Sequence, residues 1–242
     1  MYSVSQTWTT LMAAPNHYYE TKVVINGTTY TETTLIELSI QTAMFAGSQP
    51  DAGNCISAEL DLKMLAPSAT IPPMAKIEPF VRVTDGTTYS EWIPQGVYWI
   101  DTRETTHNDD GLPVLTIHAY DDMLRTEADY PDTDTAFPKS DIDTVKVIAN
   151  AMGLQPNISV TTGIDPRTVT LMNKAYQIKT LPIGYSMREV LGNIGAMYGG
   201  NWIMTYDRQL LLVPIGGIPP ETNYLVTGIG EPITFGGDRI LV

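Results

Sequence analysis

The sequence predicts an α+β, β-rich fold, in which an N-terminal antiparallel β-barrel or sandwich is followed by a smaller α+β domain. Between residues 21 and 130, six or seven short segments are joined by turn signals, with no helical pattern between them. Beyond residue 131, two segments instead have the apolar spacing of capped amphipathic helices. The change of period from two to 3.6 therefore separates two kinds of structure along the chain.

The first 20 residues form a polar and aromatic arm. Trp8, Leu11 and Met12 have the i, i+3, i+4 spacing that places side chains on one face of a short helix. That face either packs on the chain's own barrel or docks on a neighbouring subunit. Trp8, Leu11 and Met12 are therefore candidate subunit-interface residues.

Residues 21–130 are predicted to form the antiparallel strands. TKVVI and TTYTET flank Asn26-Gly27, a pair that accepts positive φ at both centres of a tight hairpin turn. The segment Cys55–Leu65 is predicted to be one strand, because every second residue from Ile56 to Met64 is apolar and those between are polar. IEPFVRV, GVYWIDTRE and LPVLTIHAY are further predicted strands.

Residues 131–220 are predicted to be an α+β domain that begins with the helix SDIDTVKVIANAMG. Ser140 and Asp143 have the spacing of a capping pair, and Gly153 is in the position that commonly follows a helix. The apolar stripe of this helix consists of Val145, Ile148, Ala149 and Met152. SVTT (159–162) and TVTLM (168–172) are candidate strands.

The stretch YSMREVLGNIGAMYGGNW (185–202) predicts a second helix that runs into a strand. Ser186 and Glu189 form an S-x-x-E capping box, and Gly199-Gly200 ends the helix. Its buried face is expected to consist of Val190, Leu191, Ile194 and Met197. NWIMTYDRQLLLVPI is then a predicted hairpin, and residues 221–242 contain two further strand-like pieces.

The composition argues against several classes of function. The net charge is −13, from 27 acidic and 14 basic residues, and Lys and Arg are not clustered, so we expect no direct grip on nucleic acid. No stretch approaches the roughly 20 apolar residues of a membrane span, so we expect no membrane insertion. The single cysteine, Cys55, cannot form an intrachain disulfide.

Candidate catalytic and metal-binding groups are few. The three histidines lack partners at metal-ligand spacing, and the run from His107 to Asp110 has first of all the composition of a turn. Asp129, Asp132 and Asp134 lack the Gly and Glu of a calcium loop. The sequence has no nucleophile elbow, P-loop or dinucleotide fingerprint in a suitable context. We therefore expect no enzyme activity, no cofactor and no metal.

Two passages resemble the baseplate hub proteins of phage tails, including prophage and contractile-injection-system relatives. IHAYDDMLRTEADYP (117–131) looks like the family's strand ending in Tyr-Asp, followed by Met-Leu and a short acidic turn. YSMREVLGNIGAMYGGNWIMTYDRQLLLVPI (185–215) is similar to its helix, Gly-Gly, strand, turn and Leu-rich strand. The resemblance covers roughly residues 20–242, the part that corresponds to the N-terminal region of tail-associated hub and lysin proteins.

The resemblance implies an architecture and a role. It makes residues 1–20 an N-terminal arm, 21–130 a tail-tube-like barrel, 131–220 an α+β domain and 221–242 the start of an incomplete second barrel. It implies a homotrimeric ring that links the tail tube or distal tail protein to a spike or fibre and lets DNA or cargo pass. A tape measure protein is another implied partner. Apart from the resemblance, Arg188, next to the capping residue Glu189, is expected to be a surface or interface contact. The expected location is the virion, after assembly in the bacterial cytoplasm.

Three functional hypotheses follow. The first is a structural hub subunit that acts by assembly. The second is a receptor- or carbohydrate-binding tail-tip module, for which an exposed cluster of Tyr89, Trp92, Tyr98 and Trp99 is expected; the same residues could instead be barrel core or subunit contacts. The third, a cell-wall hydrolase, finds no residues in the sequence to carry it.

Overall fold

The computed structural model describes residues 4–45, 47, 50–131, 133, 136–154, 163–174, 176–216, 234–235 and 238–239. The elements of the N-terminal half are α1 (Gln6–Ala13), β1 (Tyr18–Ile25), β2 (Thr28–Thr31), β3 (Leu35–Gln41), β4 (Cys55–Ile56), β5 (Glu59–Leu65), β6 (Lys76–Thr84), β7 (Ile93–Pro94), β8 (Tyr98–His107) and β9 (Pro113–Asp121). A 3₁₀ helix (Asp122–Glu127) follows β9 directly.

The C-terminal half is richer in helix. Its elements are β10 (Lys139–Ser140), α2 (Asp141–Ala151), α3 (Pro166–Leu171), β11 (Gln177–Ile178), α4 (Met187–Met197), β12 (Gly200–Met204), β13 (Leu210–Pro214), β14 (Thr234–Phe235) and β15 (Asp238–Arg239). The chain is thus β-rich and α+β, as predicted. Its buried apolar side chains form two separate clusters.

The main sheet is antiparallel and open. Its strand order is β2-β1-β6-β8-β9-β5-β3, with β7 paired to β6. β2 and β3 stand at the two ends of this order and do not pair with each other in the described residues. The predicted antiparallel strands are therefore present, whereas closure into a barrel is not confirmed.

Local turn chemistry and alternation determine this sheet. Asn26 and Gly27 have φ of 47° and 84°, so the β1–β2 hairpin forms as predicted. In β5, alternate residues are at most 1% exposed and face the core, while Lys63 faces solvent. The core on this face consists of Val23, Ile25, Leu60, Leu62, Met64, Ile71, Ala75, Ile77, Tyr98, Ile100, Leu115, Ile117 and Ala119.

The prediction of one continuous strand over Cys55–Leu65 is wrong. The chain changes sheets at Ser57-Ala58: β4 pairs in parallel with β12, whereas β5 belongs to the main sheet. Both pieces bury apolar side chains, so the alternation continues through the break. Periodicity alone could therefore not reveal that two cores share this segment.

The second core lies between helices and the short sheet β13-β12-β4. The Ser140 side chain caps α2, and all four residues of its predicted apolar stripe are buried. Ser186 and Glu189 form the predicted capping box of α4, and Gly199 follows the helix with φ of 65°. Met197, expected on the buried face, is instead 48% exposed because α4 ends at this residue.

The segment TVTLM is helical, so its prediction as a strand is wrong. Asp165 accepts a hydrogen bond from the backbone N–H of Arg167, and Pro166 occupies the start of α3. Both features favour a helix start more strongly than β-branched residues favour a strand. SVTT lies outside the described residues, as does most of 221–242, and the domain boundaries predicted above stay predictions.

Candidate assembly surface

The main sheet offers unpaired strand edges. Among the described strands β3 pairs with β5 alone, and its Ile36 is 51% exposed. β8 pairs with β6 only through Tyr98 and Trp99, so one edge of its outer part, 101–107, has no partner in the described residues. Strand edges of this kind present rows of backbone donors and acceptors that another strand can pair with.

One face of the strands β3, β5, β9 and β8 is polar and acidic. Paired residues in adjacent strands share a face, and one row runs Ser39, Asp61, His118 and Thr102. The neighbouring rows add further carboxylates. We define the acidic face by Glu37, Glu59, Asp61, Asp101 and Glu104.

The charges of the acidic face act on the side chains between them. The pKa of Tyr120 is raised, first by desolvation and then by the charges of Glu59, Asp101 and Asp61. His118 Nδ1 lies 2.7 Å from Asp61 Oδ1, and its ring packs edge-on against Tyr120. His118 thus lies on the polar face, in a cross-strand pair with Asp61.

The aromatic residues of the binding-module hypothesis do not form one exposed cluster. Tyr98 is 1% exposed and belongs to the sheet core, whereas Tyr89 is 47% exposed. The Arg82 guanidinium carbon lies 4.3 Å from the ring centroid of Tyr89 and 4.5 Å from that of Trp92. Trp99 donates its indole N–H to Asp122 instead. These rings are therefore used largely within the chain.

The N-terminal arm packs on its own chain. Leu11 is 5% exposed, Trp8 is half-buried and Met12 is 39% exposed, so the predicted helix face does point towards the sheet. Ser5 donates its backbone N–H to Glu91 at 2.6 Å, which fastens the start of α1 beside β7. A role of these residues in a subunit interface stays a prediction.

Arg188 makes contacts within the chain. Its Nη1 donates to the backbone carbonyl of Cys55 at 2.6 Å, and its Nε lies 2.7 Å from Glu127 Oε1 in an ion pair that lacks hydrogen-bond alignment. Burial raises the pKa of the Cys55 thiol to about 12, so this cysteine is inert. Arg188 thus connects α4 to β4, and its interface role stays a prediction.

A buried carboxylate joins the two cores. Asp122 is 0% exposed and accepts from the Trp99 indole at 2.9 Å and from Arg208 Nε at 2.6 Å. Arg125 Nε lies 3.2 Å from the same carboxylate. We call these four residues the Asp122 cluster, and their association was not predicted from the sequence. The only available signal was the adjacent acidic pair at the end of β9.

The candidate metal ligands have other roles or lie elsewhere. Asn108 accepts backbone N–H bonds from Asp110 and Leu112, which makes the run after His107 a turn, as its composition predicts. Asp132 and Asp134 lie outside the described residues. Within those residues, no group of three or more His, Cys, Asp or Glu could hold a metal ion. No helix among them is long and apolar enough to span a membrane.

Comparison with solved structures finds a similar fold in two tail proteins. No protein-family model and no curated protein matches the chain. The 43 kDa tail protein of prophage MuSo2 from Shewanella oneidensis has a similar structure, with a TM-score of 0.52 and 10% identity over 81% of this chain. The tail protein from Neisseria meningitidis MC58 matches with a TM-score of 0.52 and 14% identity over 86% of this chain. The chain shares the fold of these tail proteins.

The structural similarity extends over most of this chain but not over the whole of either neighbour. The chain corresponds to 56% of the Shewanella protein and 54% of the Neisseria protein. It therefore spans about half the length of each. At such low identities the likeness concerns the fold, and functional residues cannot be transferred from it.

Proposed function

We propose that this protein is a structural subunit of a phage tail or phage-like injection particle, and that it acts as the baseplate hub. The single observation that supports this most is the shared fold with two tail proteins over 81% and 86% of the chain. The open sheet, with its free edges and acidic face, is suited to assembly. The protein acts by assembly, without catalysis.

The hub forms as a homotrimeric ring in which sheet edges meet between copies. The β3 edge of one copy pairs with a free sheet edge of the next copy. Because this contact is head-to-tail, repeating the same rotation from copy to copy closes three copies into a ring. The barrel is thus completed between copies. Tail tube or distal tail protein, tape measure protein and a spike or fibre are the partners of this ring in the virion.

The acidic face lines the passage through the ring. Its carboxylates repel the phosphates of DNA, so DNA passes without being held.

The second hypothesis, a carbohydrate- or receptor-binding module, is not proposed, because Trp92 is covered by Arg82 and Lys22 and Tyr98 is buried.

The oligomeric state of an edge variant tests this proposal. Ile36→Lys places a charge on the exposed edge of β3, where it opposes pairing with another strand. We expect analytical ultracentrifugation to find trimers of the wild type, alone or with tail-tube partner added, and a loss of at least tenfold in association for Ile36→Lys. Val169→Lys, at an aliphatic residue 46% exposed on α3, is the matched control and should associate like the wild type.

Two results would overturn the proposal. A wild type that stays monomeric with tail-tube and distal-tail proteins present would exclude a hub role. Trimers that form equally well with Ile36→Lys would show that the copies do not meet through the β3 edge, and the proposed contact between them would be wrong.

A further inference from the structure

A second carboxylate at the joint between the cores lacks the partners that Asp122 has. Asp121 is 4% exposed and accepts two hydrogen bonds, from the backbone N–H groups of Ala58 and Met123, each at 2.9 Å. Asp122, the next residue, is neutralised by Arg125 and Arg208. One of two adjacent buried carboxylates is thus paired with cations, whereas the other is held by backbone donors alone.

Asp121 lies where the two cores meet and connects two segments of the chain there. Ala58 follows the point where the chain leaves β4, which pairs with β12, and enters the main sheet as β5. Met123 lies in the 3₁₀ helix, whose N-terminus Asp121 caps. The Asp121 carboxylate therefore bridges the crossover and the end of β9. Asp121 is 4% exposed, and separation of these two segments would expose its carboxylate further to water.

The groups around Asp121 come from three elements. The backbone N–H bonds from Ala58 and Met123 favour ionisation of Asp121 but do not offset its burial. Asp122 of the 3₁₀ helix opposes ionisation, and Arg188 of α4, which is already bound to Cys55 and Glu127, favours it. The charge of Asp121 in turn helps to raise the pKa of Tyr98 in β8. Desolvation is the largest influence and, with the charge of Asp122, raises the pKa of Asp121 to about 7.

We propose that Asp121 is a proton-controlled latch between the two cores, closed when the carboxyl group is neutral and released more often when it is ionised. Opening hydrates the carboxyl group and returns its pKa to the ordinary value of about 3.9. A closed state with the higher pKa binds the proton more tightly, so a rise in pH favours the open state. The latch belongs to the single chain and does not depend on ring formation.

The linkage fixes the expected size of the effect. Between pH of about 4 and the raised pKa of about 7, the equilibrium constant for opening increases up to tenfold for each pH unit. Above that range both states are ionised and the dependence ends. The effect therefore falls between acidic and neutral pH.

Hydrogen exchange and carboxyl NMR test the latch. In the wild type, exchange of the Ala58 amide, corrected for intrinsic base catalysis, should rise by at least tenfold from pH 5 to pH 7, and Asp121→Asn should remove this rise. Asp85→Asn is the matched control, because the exposed Asp85 also accepts two backbone N–H bonds, from Thr87 and Thr88. This control should keep the wild-type pH dependence.

The ¹³C resonance of the Asp121 carboxyl group gives an independent measurement on the wild type, which matters if Asp121→Asn fails to fold. A midpoint between pH 6 and 8 supports the latch. A midpoint below pH 5, or corrected Ala58 exchange that is independent of pH, overturns it.

Discussion

At the scale of single residues, Asp122 unites parts of the chain that are far apart in sequence. Its carboxylate accepts from Trp99 in β8 and from Arg208 in the β12–β13 turn, 23 and 86 residues away. A buried ion pair adds little net stability compared with an apolar substitute, but removing one partner is costly because a buried group loses its counter-charge. The Asp122 cluster therefore contributes mainly by fixing the arrangement of the two cores, and less by adding net stability.

We predict that Asp122→Asn lowers the free energy of unfolding by about 3 kcal/mol, the lower end of the range for broken buried pairs, because Arg125 and Arg208 can regain water. The side chains of these two arginines are 40% and 26% exposed. Urea unfolding followed by circular dichroism measures the change. Glu78→Gln, which breaks the partly exposed pair with Lys76, is the control and should cost at most about 1 kcal/mol. Equal losses in both variants would refute a special role of Asp122.

Asn201 also shows which contacts sequence cannot predict. This residue is 1% exposed, donates to the carbonyls of Met44 and Asp51, and accepts from the Asn54 backbone N–H. It thereby connects the start of β12 to Met44, Asp51 and Asn54, roughly 150 residues earlier in the chain. Nothing in the local pattern around Asn201 distinguishes it from an ordinary polar residue at a strand start. Its importance follows from tertiary position alone.

At the scale of elements, the sequence was informative where local chemistry decides. The α2 cap at Ser140, the α4 capping box and the Asn26-Gly27 turn involve residues at most three positions apart, and all three form as predicted. The predictions that were wrong concern segments where tertiary contacts, or competing local signals, decide the structure. The Cys55–Leu65 strand is divided because two sheets compete for it, and TVTLM is a helix because Asp165 and Pro166 precede it.

The close approach of α4 to the loop before β4 carries a second prediction. A Cβ added to Gly192 would lie 2.5 Å from the carbonyl oxygen of Gly53. Ala is favoured over Gly in a helix by about 1 kcal/mol, but overpacking costs typically about 1–3 kcal/mol. The net loss lies between zero and about 2 kcal/mol, so we predict that Gly192→Ala destabilises the protein by about 1 kcal/mol, measured by thermal unfolding.

The neighbouring residue provides the control for this substitution. Asn193 is exposed on the same helix, and Asn193→Ala gains helix propensity without a clash. It should leave stability unchanged or raise it slightly. If Gly192→Ala also raised the melting temperature, α4 would not be held against the Gly53 loop in solution.

At the scale of the whole molecule, the distribution of charge matters more than its sum. The net charge of −13 disfavours nucleic acid binding anywhere on the surface, but the proposed passage requires repulsion on one particular face. Glu37, Glu59 and Glu104 lie in three strands of the acidic face. Because binding to DNA depends on local contacts with phosphates, reversing these charges should affect DNA more than equal changes elsewhere.

The third prediction uses two triple variants with the same net charge. Glu37→Lys, Glu59→Lys and Glu104→Lys each add two positive units, which takes −13 to −7. Asp109→Lys, Asp110→Lys and Asp129→Lys, at exposed positions outside the acidic face, make the same change.

In mobility-shift assays at low salt we expect no DNA binding by the wild type, and binding by the acidic-face variant at least tenfold tighter than by its control. The binding should weaken steeply with salt, because it rests on phosphate contacts. Equal binding by both variants would mean that net charge alone repels DNA. The proposal that the acidic face lines the passage would then be wrong.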